Sequence, residues 1–139
     1  MTLTRLVYAS RSEFVETDRR SEIERIIASA RRLNTQNDVT GFFMVTPTGF
    51  AQVLEGRPAN VAETYGRIVV DPRHRDIRLL SQEPIAERRF PRWSMGLAEQ
   101  DETTMFIFGL YRVTPETDLA EQPADALVDL AGELASRPA

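Results

Sequence analysis

Gln52 is the side chain whose type and setting point most directly to chemistry. It lies in Phe50-Ala51-Gln52-Val53-Leu54, a run that reads as a β-strand. Strand side chains alternate between faces, so Gln52 shares one face with Phe50 and Leu54, and Ala51 and Val53 share the other. If the first face is core, an amide is buried among apolar neighbours, where lacking partners costs about 1–3 kcal/mol. A backbone carbonyl, a water or exposure of that face would satisfy it. So would a ligand that both donates and accepts hydrogen bonds. Tyr8 shares a face with Leu6 in the strand Leu3–Ser10, and its phenol makes the same demand if buried. Trp93, Met95 and Leu97 share a face of a late strand, and Asn34 ends a helical run, where capping is the ordinary role.

Enzymatic constellations do not emerge. The chain has no glycine-rich phosphate loop and no nucleophile elbow. His74 is the single histidine, so neither a Ser-His-Asp triad nor a two-histidine metal site can be assembled. The carboxylates are scattered. No residue is assigned a catalytic or metal-binding role. His74 belongs to Asp71-Pro72-Arg73-His74-Arg75, which reads either as a solvated basic turn or as a mouth for an anionic ligand tail.

The elements that must position these groups follow from periodicity. After the first strand and a polar loop, Ser21-Glu22-Ile23-Glu24 fits a capping box. Ile23, Ile26, Ile27, Ala30 and Leu33 then form the stripe of an amphipathic helix, broken by residues 34–38. Thr40–Thr46 and Phe50–Glu55 form a hairpin about Pro47-Thr48-Gly49. Pro58 opens a second helix with the stripe Val61, Ala62, Tyr65, Ile68 and Val69, stopped by Asp71-Pro72. Strands follow at Ile77–Ile85 and Trp93–Leu97. The order β-α-β-β-α-β-β predicts an α+β, ferredoxin-like sheet with two helices on one face and the last strand at an edge. The other face needs a cover. Residues 98–139 supply it, with apolar Met105–Tyr111 and a helix over Ala124–Arg137, and the flexible joint is expected at Pro115–Pro123. The expected units are 1–97 and 98–139.

Composition bounds the partners. The 139 residues are 42% hydrophobic and 27% charged, which suits one domain with a real core. There is no cysteine, every basic residue is arginine, and the net charge of −4 does not favour nucleic acid or an anionic membrane. Neither a signal peptide nor a membrane span is apparent, so a cytoplasmic protein is expected.

Taken together, the polar residues and the words around them resemble a known family. Leu6-Val7-Tyr8-Ala9-Ser10, Asp38-Val39-Thr40-Gly41, Gln52-Val53-Leu54-Glu55-Gly56, Asp71-Pro72-Arg73-His74, Glu83-Pro84-Ile85, Arg88-Arg89-Phe90 and Trp93-Ser94-Met95 occur in order over about residues 3–97. This resembles the BLUF family, blue-light receptors that bind FAD. The resemblance implies a flavin ring between the two helices, with Ile26 and Ile68 as its apolar contacts. Asn34 resembles the asparagine bonded to the pyrimidine edge of the ring. Gln52 resembles the glutamine between the N5/O4 edge and a tyrosine, and Tyr8 resembles that tyrosine, the light-driven electron and proton donor. Arg73 and His74 resemble residues near the ribityl-phosphate tail. Leu33 stands where relatives often carry His or Asn. Trp93 and Met95 resemble the pair whose exchange relays the signal to the edge strand, with the inward one left open.

The implied function is a short, stand-alone photoreceptor that signals to a separate effector protein or through a change in a homo-oligomer. Two other readings compete with it. One is a small flavin-dependent reductase or an acylphosphatase-like hydrolase; the other is a ferredoxin-like interaction module without cofactor.

Overall fold

The computed structural model describes residues 2–12, 19–47, 49–72, 74–91, 96–98, 102–114 and 117–136. The chain runs β1 (Leu3–Ser12), α1 (Arg19–Asn37), β2 (Thr40–Thr46), β3 (Gly49–Gly56), α2 (Pro58–Val69), β4 (His74–Ile85), β5 (Gly96–Ala98), α3 (Glu102–Leu110) and α4 (Ala124–Ala135), with a 3-10 turn at Leu119–Glu121. The sheet order is β4-β1-β3-β2-β5. The first four strands pair antiparallel, and β5 joins β2 in parallel at the edge. This is the expected α+β, ferredoxin-like layout.

β3 lies at the centre and is buried from Gly49 to Gly56, because both faces of the sheet are covered. On one face, Leu6, Tyr8, Phe43, Phe50 and Leu54 pack against Ile23, Ile26 and Ile27 of α1 and Val61 of α2. On the other, Val7, Ala9, Phe42, Met44, Ala51 and Val53 pack against the C-terminal segment, including Ile107, Phe108, Leu127, Leu130 and Leu134. Each large apolar side chain fully buried this way contributes about 1.5–3 kcal/mol. β2 and β3 approach closely at Gly41, where an added Cβ would fall 1.8 Å from the Val53 carbonyl oxygen, so only glycine fits there. The β1–β3 ladder is unbroken from Thr4↔Gly56 to Arg11↔Gly49, whereas the β1–β4 ladder shifts register between Val7 and Tyr8 and again between Ala9 and Arg11.

Several boundaries differ from the sequence pattern. α1 starts at Arg19, so Ser21 lies within its first turn and is not its cap. It also continues through Asn37. It ends at Asp38, whose φ of 54° is left-handed, and the Val39 N–H then donates to the Asn34 carbonyl at 2.9 Å. Asn34 is therefore a residue of the helix, not its cap. In α2 the buried positions are Val61 and Thr64, with Tyr65 and Ile68 half-buried. Ala62 and Val69 are exposed, Val69 at 51%. The stripe was misphased because Thr64 looks polar; its hydroxyl is satisfied within the helix by donating to the Asn60 carbonyl at 3.0 Å. β4 begins at His74, earlier than Ile77, because β1 is long enough to pair with it from Ser12. Part of the expected joint is docked: Leu119 is buried in the core, and the Asp118 carboxylate accepts the Ala120 N–H at 3.0 Å. Of the strand expected at Trp93–Leu97, residues 93–95 lie outside the described residues; the described edge strand is Gly96–Ala98.

Candidate functional site

A cleft of about 610 Å³, measured to its open mouth, lies between α1 and α2. Its walls are two helical stripes. α1 contributes Ile26, Ser29, Ala30, Leu33 and Asn34, spaced i, i+3, i+4, i+7, i+8. α2 and the residues after it contribute Thr64, Arg67, Ile68 and Asp71, spaced i, i+3, i+4, i+7. Gln52 of β3 is the strand residue that lines it. Ser29, Ala30 and Thr64 put small side chains on the facing walls.

Two buried amides border this space, Asn34 at 1% exposure and Gln52 at 3%. Gln52 sits directly across the ladder from Tyr8, and the phenol donates a hydrogen bond to Gln52 Oε1. Tyr8 is fully buried, with Tyr65 packed at a ring-centroid distance of 5.6 Å and a tilt of 50°. Burial first, then the negative charge of an ionised Tyr65 and of Asp71, pushes the Tyr8 phenol well above its ordinary 10.0. Burial also raises Tyr65. Tyr8 is thus held as a neutral O–H donor at neutral pH. With Oε1 taken by the phenol, the NH₂ group is the donor side of the Gln52 amide.

Tyr8, Ile26, Asn34, Gln52 and Ile68, all singled out in the sequence, come together here. His74 opens β4, just beyond Asp71 at the cleft. Arg73, Trp93 and Met95 lie outside the described residues. Ser29, Ala30, Thr64, Arg67 and Asp71 were not anticipated as lining. The signal that could have found them is the run of small residues on facing helical stripes. Arg67 is itself paired with Glu63, one turn earlier.

Residues 3–96 match the family described as sensors of blue light using FAD. The chain belongs to the BLUF family. It is 33% identical over 106 residues to photoactivated adenylate cyclase subunit beta of Euglena gracilis, a match spanning 76% of this chain and 12% of that protein. It is also 33% identical over 111 residues to the blue light- and temperature-regulated antirepressor BluF of Escherichia coli K12, spanning 76% of this chain and 27% of that one. The chain thus spans only a fraction of these curated relatives. A solved structure titled BlsA photo-activated state superposes with a TM-score of 0.84 at 26% identity, covering 98% of this chain and 96% of that one.

As a BLUF photoreceptor the chain uses FAD. The cleft suits that cofactor in its apolar helical walls and in the two buried amides that border it. Among the described residues no helix is long and apolar enough to cross a membrane.

Proposed function

We propose that the switch of this BLUF photoreceptor is the Tyr8–Gln52 pair, with FAD held between α1 and α2. Bound FAD supplies absorption of blue light and an oxidising excited state. Ile26 and Ile68 would hold the ring from the two helices, Asn34 would bond its pyrimidine edge, and Arg73 and His74 would serve the phosphate tail. The observation that carries this reading is the buried hydrogen bond from the Tyr8 phenol to Gln52 Oε1, beside the cleft.

With FAD bound, Tyr8 would be the electron donor to its excited state, and the phenol proton would leave along the hydrogen bond to Gln52 Oε1. Gln52 can hold two arrangements. In one, Oε1 accepts from the phenol; in the other, after rotation or tautomerisation, its nitrogen side faces Tyr8. The dry surroundings make each arrangement costly to leave half-made, which keeps the two states discrete. Trp93 and Met95 carry the change into β5. Residues 1–97 form the flavin unit and 98–139 the responding extension. The chain acts as a sensor, not an enzyme, and its output passes to a partner protein or to the oligomeric state.

The test is an absorption spectrum before and after blue light. The purified protein is expected to be yellow, to shift slightly to longer wavelength on illumination, and to recover in the dark. Tyr8→Phe and Gln52→Leu are expected to bind flavin without the normal response. A normal shifted state in Tyr8→Phe would overturn the assignment. Steady turnover of reduced nicotinamide by the wild-type protein would favour a reductase instead.

A further inference from the structure

Glu55 is the one carboxylate in the core of the described residues, with 0% of its surface exposed. An odd offset along β3 turns it to the face opposite Gln52. Its oxygens are fully employed. Oε2 accepts from Arg5 Nε at 2.8 Å, and Oε1 accepts the backbone N–H of Arg89 at 2.9 Å and of Phe90 at 2.8 Å. Both backbone donors belong to residues 86–91, which lead the chain out of β4 toward β5. Glu55 therefore fixes this crossover to the strand that carries Gln52. Arg88 adds a second grip, donating to Thr40 Oγ1 at 2.9 Å, to the Glu55 carbonyl at 3.2 Å and to the Asp38 carbonyl at 2.8 Å. Phe90 is buried against Phe42, with ring centroids 6.0 Å apart.

The crossover also reaches the C-terminal helix. Arg89 Nη1 pairs with Asp129 Oδ1 of α4 at 2.8 Å. Its guanidinium lies over Gly132, where an added Cβ would come within 2.4 Å of Nη2. An exposed ion pair alone holds little. Here its base is fixed by the Glu55 clamp, and its tip rests on a helix face kept bare by a glycine.

We infer that the crossover is a lever from β3 to α4, with Glu55 and Arg89 as its positioning residues, so that the Gln52 switch acts on α4 directly as well as along β5. This rests on the photoswitch reading and names its output contact. The chemistry asks for two properties, a stiff root and a releasable tip. A buried carboxylate with three donors gives the first, and an exposed guanidinium on a glycine gives the second.

The test is hydrogen–deuterium exchange of the FAD-loaded full chain, dark and illuminated, with absorption spectra on the same samples. Wild-type protein is expected to show a light–dark difference in the α4 peptides. Arg89→Ala keeps the backbone N–H to Glu55 and is expected to keep the spectral shift while losing that difference; Arg89→Lys is expected to restore part of it. Gly132→Ala is the complementary variant. It raises helix propensity yet displaces the guanidinium, so losing the α4 difference in a helix no less stable would separate coupling from stability. A wild-type-sized α4 difference in Arg89→Ala with a normal spectral shift overturns the lever alone, as it would in Gly132→Ala should Arg89→Ala not fold. So does a wild-type α4 that never responds to light. Absence of any spectral shift in the wild-type protein overturns the photoswitch reading, and the lever with it.

Discussion

Gln52 and Glu55 occupy the same strand, are equally hidden from water, and are built for opposite purposes. Gln52 is neutral, can donate or accept, and borders a cleft. Glu55 only accepts when ionised, and three donors hold it in one geometry. A polar group in a core can thus confer mobility or rigidity. Which one it confers depends on whether its partners could serve equally well after it turns. β3 carries one of each, turned to opposite faces, so the strand can register a change on one side while staying anchored on the other.

The sharpest way to break this contrast is to remove the rigid member. Glu55→Ala removes the acceptor of two backbone N–H groups and leaves partly buried Arg5 only its longer pairing with Glu83, and is expected to cost about 3 kcal/mol, read by urea unfolding. Gln52→Leu removes the acceptor of the Tyr8 phenol and should cost less, about 1–3 kcal/mol, while abolishing the light-induced shift. Equal losses in the two variants would erase the distinction between them. Tyr8→Phe deletes the donor but leaves no charge unpaired, so about 0.5–1.5 kcal/mol is expected in the same unfolding assay. The smallest effect appears only in alkali. The folded Tyr8 pKa is raised, so its neutral form favours the fold; that contribution is whole below the unfolded value of 10.0 and is lost as pH climbs through the raised one. The urea midpoint of wild-type protein should therefore fall more steeply above pH 10.0 than that of Tyr8→Phe.

Alternation puts Tyr8 with Leu6 and Gln52 with Phe50 and Leu54, because a strand leaves its side chains only two directions; that the two meet follows from the family resemblance and the ladder register. The same rule, carried one residue further, would have put Glu55 among Ala51 and Val53 in the opposite core. The sequence pattern makes it only the last residue of a hairpin arm, since a lone carboxylate gives no sign of donors arriving from a distant loop. Asn34 looks like a helix terminus because Asn, Thr and Asp crowd residues 34–38 and are weak helix formers, yet α1 runs past it to Asn37 and turns its amide inward. The cleft itself was not written in any apolar stripe. Much of its lining, Ser29, Asn34, Thr64, Arg67 and Asp71, is polar and falls outside those stripes, so the space shows only once two helices are set face to face.

The interrupted ladder beside Tyr8 has a practical corollary. On its β3 side the phenol's strand is bonded step for step; on its β4 side the steps skip at the phenol itself. β1 is then locked in register to β3, while the skips are where it can turn against β4, as at a clutch plate. A spin label on the solvent edge of β4 should barely notice illumination, which makes that edge the safe place to tether this sensor to a surface or fuse it to cargo.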